Sequence, residues 1–450
     1  MNAVSPLTTN PSCSISFPYA AQVSLANLPG GDLSWLVDGR SRAMAGFAEL
    51  GLPSQKVEEW RYSNLSPLAN TDFTAPELTA ADLVRAEINE RFGEMKSMAR
   101  LVFVNGWLDG ASSELTNLPV GVRVLGLADA IAEESDLLKT HFCDSLEQYD
   151  HALALLNSAL TADGCLVILE QEVELELELL FIATPDGGTP AYHPRISILV
   201  GAGSRLSLRE QHATLSSHVY WSNSVTNIKL DENARMCHYR LQEESGHSWL
   251  TSWTKVRAAR GAFYDNFIVA TGGRYSRNEI EVALEGEGAG CDLSGGFMLM
   301  GEQKIDNRLR VDHAAPNCIS RQSYKGVLDE RAHGVFQAKT VVRRDAQRTD
   351  GNQLSRALLL SSEAVMDAKP ELEIYADDVK CSHGATVGEL DGEQLFYLRA
   401  RGIDEASARN LLIAAFLEEH VQSITEEAAC EWLASAVTGW IARRERERVT

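Results

Sequence analysis

Between Glu172 and Leu179 the chain reads EVELELEL: glutamates at 172, 174, 176 and 178 alternate with Val173, Leu175, Leu177 and Leu179. A period of two is what a β-strand imposes, because successive side chains leave the pleated backbone on opposite faces; here one face is wet and the other apolar. RISILV (Arg195–Val200), EIEVAL (Glu279–Leu284) and RLRVDH (Arg308–His313) continue the alternation. From Cys165 to Tyr375 no stretch has the spacing of an amphipathic helix, so this span reads as one block of strands and turns.

The block is weakly repetitive. TNIKLDENARMCHY, TKVRAARGAFYDN, IEVALEGEGAGCDL and KGVLDERAHGVFQ align on Ala234, Ala262, Ala289 and Ala332, with intervals of 28, 27 and 43 residues, the last about one and a half units. A unit of this size suits one coil of a parallel β-helix, in which each coil buries its inner face only against its neighbours. A large β-sandwich or mixed antiparallel sheet is the alternative.

Helical signals flank the block. Residues 1 to about 31 read as a loose tail, followed by a helix capped by Asp32 with Leu36, Ala43, Phe47 and Leu50 on one face and stopped at Gly51-Leu52-Pro53. A polar helix is expected from Ala80 to about Phe92 with Thr79 as cap, then strands at RLVFVNG and GVRVLGL and a helix at DHALALLNSAL. After Gly388, Asp404 can cap a helix with Ala408, Leu411, Leu412, Ala415 and Phe416 on its stripe. Thr425 opens a second helix with Ala429, Leu433, Ala436, Val437, Trp440 and Ile441. The expected division is a mostly helical region over 1–160, a β-helix core over 161–392 and a C-terminal helical domain over 393–450.

Composition narrows the function. Apolar residues make up 44% of the chain, as in a globular protein, and 41 Lys and Arg against 63 Asp and Glu give a formal charge of −22. Such a surface repels phosphate backbones and anionic membranes, so neither nucleic acid nor membrane is an expected partner. The first 39 residues contain no Lys or Arg, unlike a secretory signal or a transit peptide, and apolar runs such as NLLIAAFL are too short to span a bilayer. Eight cysteines are scattered without a CxxC, as expected of reduced thiols in the cytoplasm.

Motifs for dinucleotide, P-loop, zincin and serine-hydrolase chemistry are absent, and GGRYSRNEI and GEGAG read as turns between strands. Cys237 and His238 are adjacent, so on a strand they point to opposite faces and cannot chelate one ion. Asp312, His313, Cys318 and His333 are dense, yet VDHAAPNC and ERAHGVF read equally as a turn and a strand start. Cys381 and His383 differ: in KCSHGAT they stand two apart, and on a strand they share a face. Thiolate with imidazole suits iron, zinc or an iron-sulfur fragment, but two ligands are too few for a closed structural site. A buried Cys with a hydrogen-bonded His is the other reading. Asp377 and Asp378 are expected to face solvent.

KVEEWRYSNL (Lys56–Leu65), NRLRVDHAAPNCISRQSYKGVLDERAHGVFQAKTVV (Asn307–Val342), LLLSSEAVMDAKPELEIYADDVKCSHGATVGELD (Leu358–Asp391) and the helical tail together resemble the SufB/SufD family of the SUF iron-sulfur cluster assembly system. The resemblance runs from about Pro53 to Trp440 and is closest to the family's SufD branch. It implies a right-handed parallel β-helix flanked by helical regions, a scaffold rather than an enzyme, and a heterodimer with a SufB-like paralogue through the β-helices. It also implies a SufC-like ATPase on the C-terminal helices, for which Leu411, Leu412, Phe416, Leu433, Val437 and Trp440 supply apolar surface. Ser355-Arg356-Ala357 stands where SufB proteins carry a Cys-Asp-Ser triplet. KCSHGAT is the SufD form, which implies His383 as ligand and Cys381 as secondary ligand or neighbour to a transient iron-sulfur cluster shared with the partner. A β-helix enzyme acting on polysaccharide and a purely structural adaptor are the competing functions.

Overall fold

The structure, a computed structural model, describes residues 14–15, 17–21, 23–25, 28–76, 81–93, 98–144, 151–185 and 188–449. The N-terminal part holds β1 (Ser14–Ile15), α1 (Ser34–Leu50), β2 (Leu52–Pro53), α2 (Ser66–Ala69), α3 (Ala81–Phe92), β3 (Ala99–Val104), β4 (Trp107–Leu108), β5 (Val122–Gly126), α4 (Leu127–Glu133), α5 (Ser135–Asp144) and α6 (Ala152–Leu160). From Gly164 to Gly388 the described residues form strands joined by turns: β6 (Gly164–Leu169), β7 (Glu174–Ala183), β8 (Ala191–Tyr192), β9 (Arg195–Val200), β10 (Arg205–Thr214), β11 (Trp221–Leu230), β12 (Arg235–Glu243), β13 (Trp249–Ala258) and β14 (Phe263–Ala270). It continues through β15 (Tyr275–Leu284), β16 (Gly290–Leu299), β17 (Lys304–His313), β18 (Ile319–Leu328), β19 (His333–Val342), β20 (Asp350–Leu359), β21 (Val365–Ile374) and β22 (Lys380–Gly388). Three helices close the chain: α7 (Gly392–Arg399), α8 (Glu405–Val421) and α9 (Glu427–Val449).

Successive strands alternate between two 10- and 9-membered ladders, β22-β20-β18-β16-β14-β12-β10-β7-β3-β4 and β21-β19-β17-β15-β13-β11-β9-β6-β5, with β8 beside β11. From β6 and β7 onward every pairing is parallel, which makes the core a parallel β-solenoid of about seven coils, one strand per sheet per coil. The alignment on small residues is explained by register. Ala234, Ala262 and Ala289 each precede one of three mutually paired residues, Arg235, Phe263 and Gly290, whereas Ala332 precedes His333 in the opposite sheet. The interval of 43 residues is one coil plus the crossing to the other sheet. The preceding residues Asn233, Gly261 and Gly288 have φ of 58, 67 and 71°, a left-handed corner that Gly and Asn adopt most cheaply.

The founding stretch shows how the faces sort. Leu175, Leu177 and Leu179 are buried, and Glu174 and Glu176 are exposed. Glu178 is not wet: it is buried in an ion pair with Arg100, whose Nη1 also donates to the Gly93 carbonyl at 2.7 Å. The outer face of the second sheet is covered by α1 and α6, packed with Trp221, Trp249 and Tyr275. The outer face of the first is covered by α8 and α9 on Tyr239, Leu241, Phe267, Val269, Met298 and Val327.

Three expectations need correction. The N-terminal tail is not loose at Phe17 and Tyr19, which are buried against Phe47, Phe73 and Trp221. Helix α1 starts after Leu33 without a side-chain cap, so Asp32 does not hold it; Thr79 lies outside the described residues. Asp404 does cap α8, accepting from the Ser407 N–H at 3.0 Å, but the buried stripe is Ala408, Ile413, Leu417 and Val421. Leu411 and Ala415 face outward because the sheet meets the neighbouring face of the helix.

Candidate functional site

The last coil places Cys381 and His383. In β20, Gly351, Gln353, Ser355 and Ala357 are buried and face the lumen, and their partners in β22 are Cys381, His383, Ala385 and Val387. The shared face expected for Cys381 and His383 is therefore the lumen face. One coil earlier that face is sealed, with Phe336, Ala338 and Gln353 buried. At the last coil no further strand follows: His383 and Ala385 are exposed and Val387 is 45% exposed. The lumen face of β21 is likewise only half-covered at Met366, Ala368, Pro370 and Leu372.

Cys381 is half-buried, packed with Val342, Ala346, Ala376 and Val379. Partial burial pushes its thiol above the ordinary range, and Asp350 nearby adds to that, so this sulfur holds its proton more firmly than a free cysteine. The exposed imidazole is the readier ligand. Ser355 lies on the same lumen face, buried, and pairs with Ala385. Asp377 and Asp378 are exposed, as expected. Among the described residues no three His, Cys, Asp or Glu side chains converge as a metal-binding set.

The other candidates separate. Cys237 lies on the outer face, while His238 is in the lumen. His313 is buried with Nε2 2.8 Å from Ser320 Oγ, whereas His333 points outward to Asp367 at 2.8 Å. Asp312 holds Arg343 at 2.6 Å, and the Cys318 thiol donates to the Gly286 carbonyl at 3.3 Å.

Sequence reasoning missed a buried polar centre. Glu210 meets His212 at 2.6 Å, His238 at 2.8 Å and Arg240 at 3.1 Å, and His238 Nδ1 is 2.9 Å from the Tyr264 hydroxyl. Burial opposes the charge on Glu210, but Arg240 and the two imidazoles outweigh it and hold the carboxyl well below the usual range. Burial also lowers both histidines, which stay neutral. The strand alternation shows that these residues point inward, but not that the inside would be polar.

Of the six apolar residues expected to meet a partner, Leu433, Val437 and Trp440 are buried on the chain's own solenoid, which withdraws them from any surface. Leu412 and Phe416 are half-buried, and Leu411 is 51% exposed. Beside them α7 has no buried residue and shows Phe396, 75% exposed, and Tyr397.

Comparison with known proteins gives the family. The description "SUF system FeS cluster assembly, SufBD core domain" matches residues 181–416, and "SufBD protein N-terminal region" matches 25–179. The chain belongs to the SufBD family. It is 31% identical to an iron-sulfur cluster assembly SufBD family protein of Synechocystis sp. over 89% of this chain and 90% of that one. It is 30% identical to the iron-sulfur cluster assembly protein SufD of Escherichia coli over 84% and 86%, and 30% identical to a chloroplastic protein of Arabidopsis thaliana over 82% and 78%. This is a SufBD-family iron-sulfur cluster assembly protein, and the polysaccharide reading finds no support. Among the described residues no helix is long and apolar enough to cross a membrane.

Proposed function

We propose that this chain is a SufD-type scaffold subunit, without catalysis of its own, in a cytoplasmic complex with a SufB-like paralogue and a SufC-like ATPase. The observation that carries the reading is the bare lumen face of the last coil with exposed His383 on it. A second β-helix meeting this end would cover Val387, Tyr375 and Ile374 and bring its own side chains to the imidazole. The nascent iron-sulfur cluster is then cargo held between His383 and a soft ligand of the partner, with Cys381 as a secondary ligand or neighbour. An under-coordinated, shared site suits a cluster that must leave again.

The ATPase is assigned to the exposed side of the C-terminal helices, Phe396, Tyr397 and Leu411 with the edges of Leu412 and Phe416. Truncating the chain after Gly402 would strip α8 and α9 from the first sheet and expose its apolar outer face, so surface substitutions are the cleaner probe. The test of the site is His383→Ala in the co-expressed three-protein complex. Assembly should persist while bound iron and acid-labile sulfide fall by about tenfold, the low end of what losing a metal's supporting group costs; Cys381→Ala should cost less. Normal cluster content in the His383→Ala complex would remove the ligand role.

A further inference from the structure

The segment Val57–Ser63 crosses the outer face of the second sheet and touches four consecutive coils. The Ser63 hydroxyl donates to Asp306 of β17 at 2.5 Å. The indole of Trp60 lies under the Arg277 guanidinium of β15, 3.7 Å from the ring centre. The Glu59 carbonyl accepts from Arg277 at 3.0 Å and from Gln337 of β19 at 3.3 Å. The Glu58 carboxylate accepts from Lys369 of β21 at 2.6 Å.

These partners form a connected patch: Arg277 pairs with Asp306, and Gln337 donates to Asp306 at 3.0 Å. Gln337 and Lys369 are Cα partners in adjacent strands. Trp60, Ser63, Arg277, Asp306 and Gln337 are all buried. Three strand spacings of about 4.8 Å separate the first coil gripped from the last.

In a solenoid each coil is held by its neighbours, and the last coil has one neighbour only, so it is the first to fray. We propose that Val57–Ser63 is a lateral brace that ties the terminal coil to the interior ones, and that Trp60 and Glu58 are positioning residues that keep β21 and β22 in one geometry. The functional half of this inference, that the brace presents the open end to the partner, rests on the reading of that end given above.

The test uses the full chain and reads amide hydrogen exchange strand by strand. Glu58→Lys and Lys369→Glu should each speed exchange in β21 and β22 by about two- to fivefold, the range of an exposed ion pair. Exchange in β11 and β13 should stay unchanged, and the double swap E58K/K369E should restore the wild-type rates. Trp60→Ala should speed the same amides by more than about tenfold, because a desolvated cation–π contact is lost. Unchanged exchange in β21 and β22 for E58K, K369E and W60A chains of wild-type circular dichroism would overturn the brace. Affinity for the SufB-like paralogue should fall in step with the exchange, and Val387→Asp, which touches the end but not the brace, should lower it independently. If Val387→Asp binds normally, the reading of the open end fails and the brace stands or falls on exchange alone. If Val387→Asp binds weakly while E58K and W60A bind normally despite faster exchange, the positioning role is wrong.

Discussion

Where the solenoid begins, β5 runs antiparallel to β6 and β4 antiparallel to β3, and α3, α4 and α5 pack Val84, Ile88, Leu127 and Leu138 onto the first coils. Where it stops, β21 and β22 are still parallel, have no strand beyond them among the described residues, and their lumen face is covered only in part, by the small cluster at Val342, Ala346 and Ala376 under Cys381 and by the core beside Met366. Antiparallel strands and helices finish a ladder; a parallel strand with a bare inner face leaves it ready for another coil. The difference separates an end closed by the chain's own strands and helices from an end whose inner face is left open.

The contrast is broken most easily by matched aromatic truncations. Phe103, fully buried and stacked on Phe181 at 4.8 Å, should cost about 3–5 kcal/mol as Phe103→Ala in chemical denaturation of the isolated chain. Tyr375→Ala, at a side chain 64% exposed, should stay within about 0.5 kcal/mol. Equal costs would mean that the end is already covered.

An effect of comparable size comes from pH and belongs to the covered coils. Glu244 is fully buried with no hydrogen-bond partner for either carboxylate oxygen among the described residues, and burial raises its pKa from 4.5 to about 8. Because the folded chain holds this proton more tightly than the unfolded one, the stability linked to it is complete below pH 4.5 and is lost as pH rises to about 8. Across that window the loss approaches about 1.4 kcal/mol per pH unit, and Glu244→Gln should flatten the curve of melting temperature against pH. An unchanged slope would show that the carboxyl finds a partner or water.

The smallest effect on stability should come from Phe396→Ser and Leu411→Ser, each within about 0.5 kcal/mol in the isolated chain. Co-purification of the ATPase should nevertheless drop. Full retention of the ATPase by the double variant would move that partner to another face.

Much of this was legible in sequence for physical reasons. Leu175, Leu177 and Leu179 declare a strand because one face is wet, and Ala234, Ala262 and Ala289 mark coils because a tight corner admits only small side chains. Ala332 showed the half-coil offset without showing which sheet it served. The stripe of α8 was misplaced because Leu411 and Ile413 both fit a helical period, and only the sheet decides which face is inward. Glu210, His238 and Arg240 were illegible because a lumen can satisfy charges across coils that sequence does not bring together. For Cys381 and His383 the shared face followed from spacing, but its exposure follows from β22 being last.

An unpaired strand also invites uncontrolled growth, since any extended chain could continue the ladder into a fibre. In β21 the sequence reads AKPE, and Pro370 brings no N–H to the strand, so its row of donors is interrupted mid-length and flanked by charges at Lys369 and Glu371. β22 carries no proline. Of the two edges at the open end, one is chemically discouraged from templating, so copies of this chain are poorly suited to stacking without limit, while the other edge keeps its full row of donors.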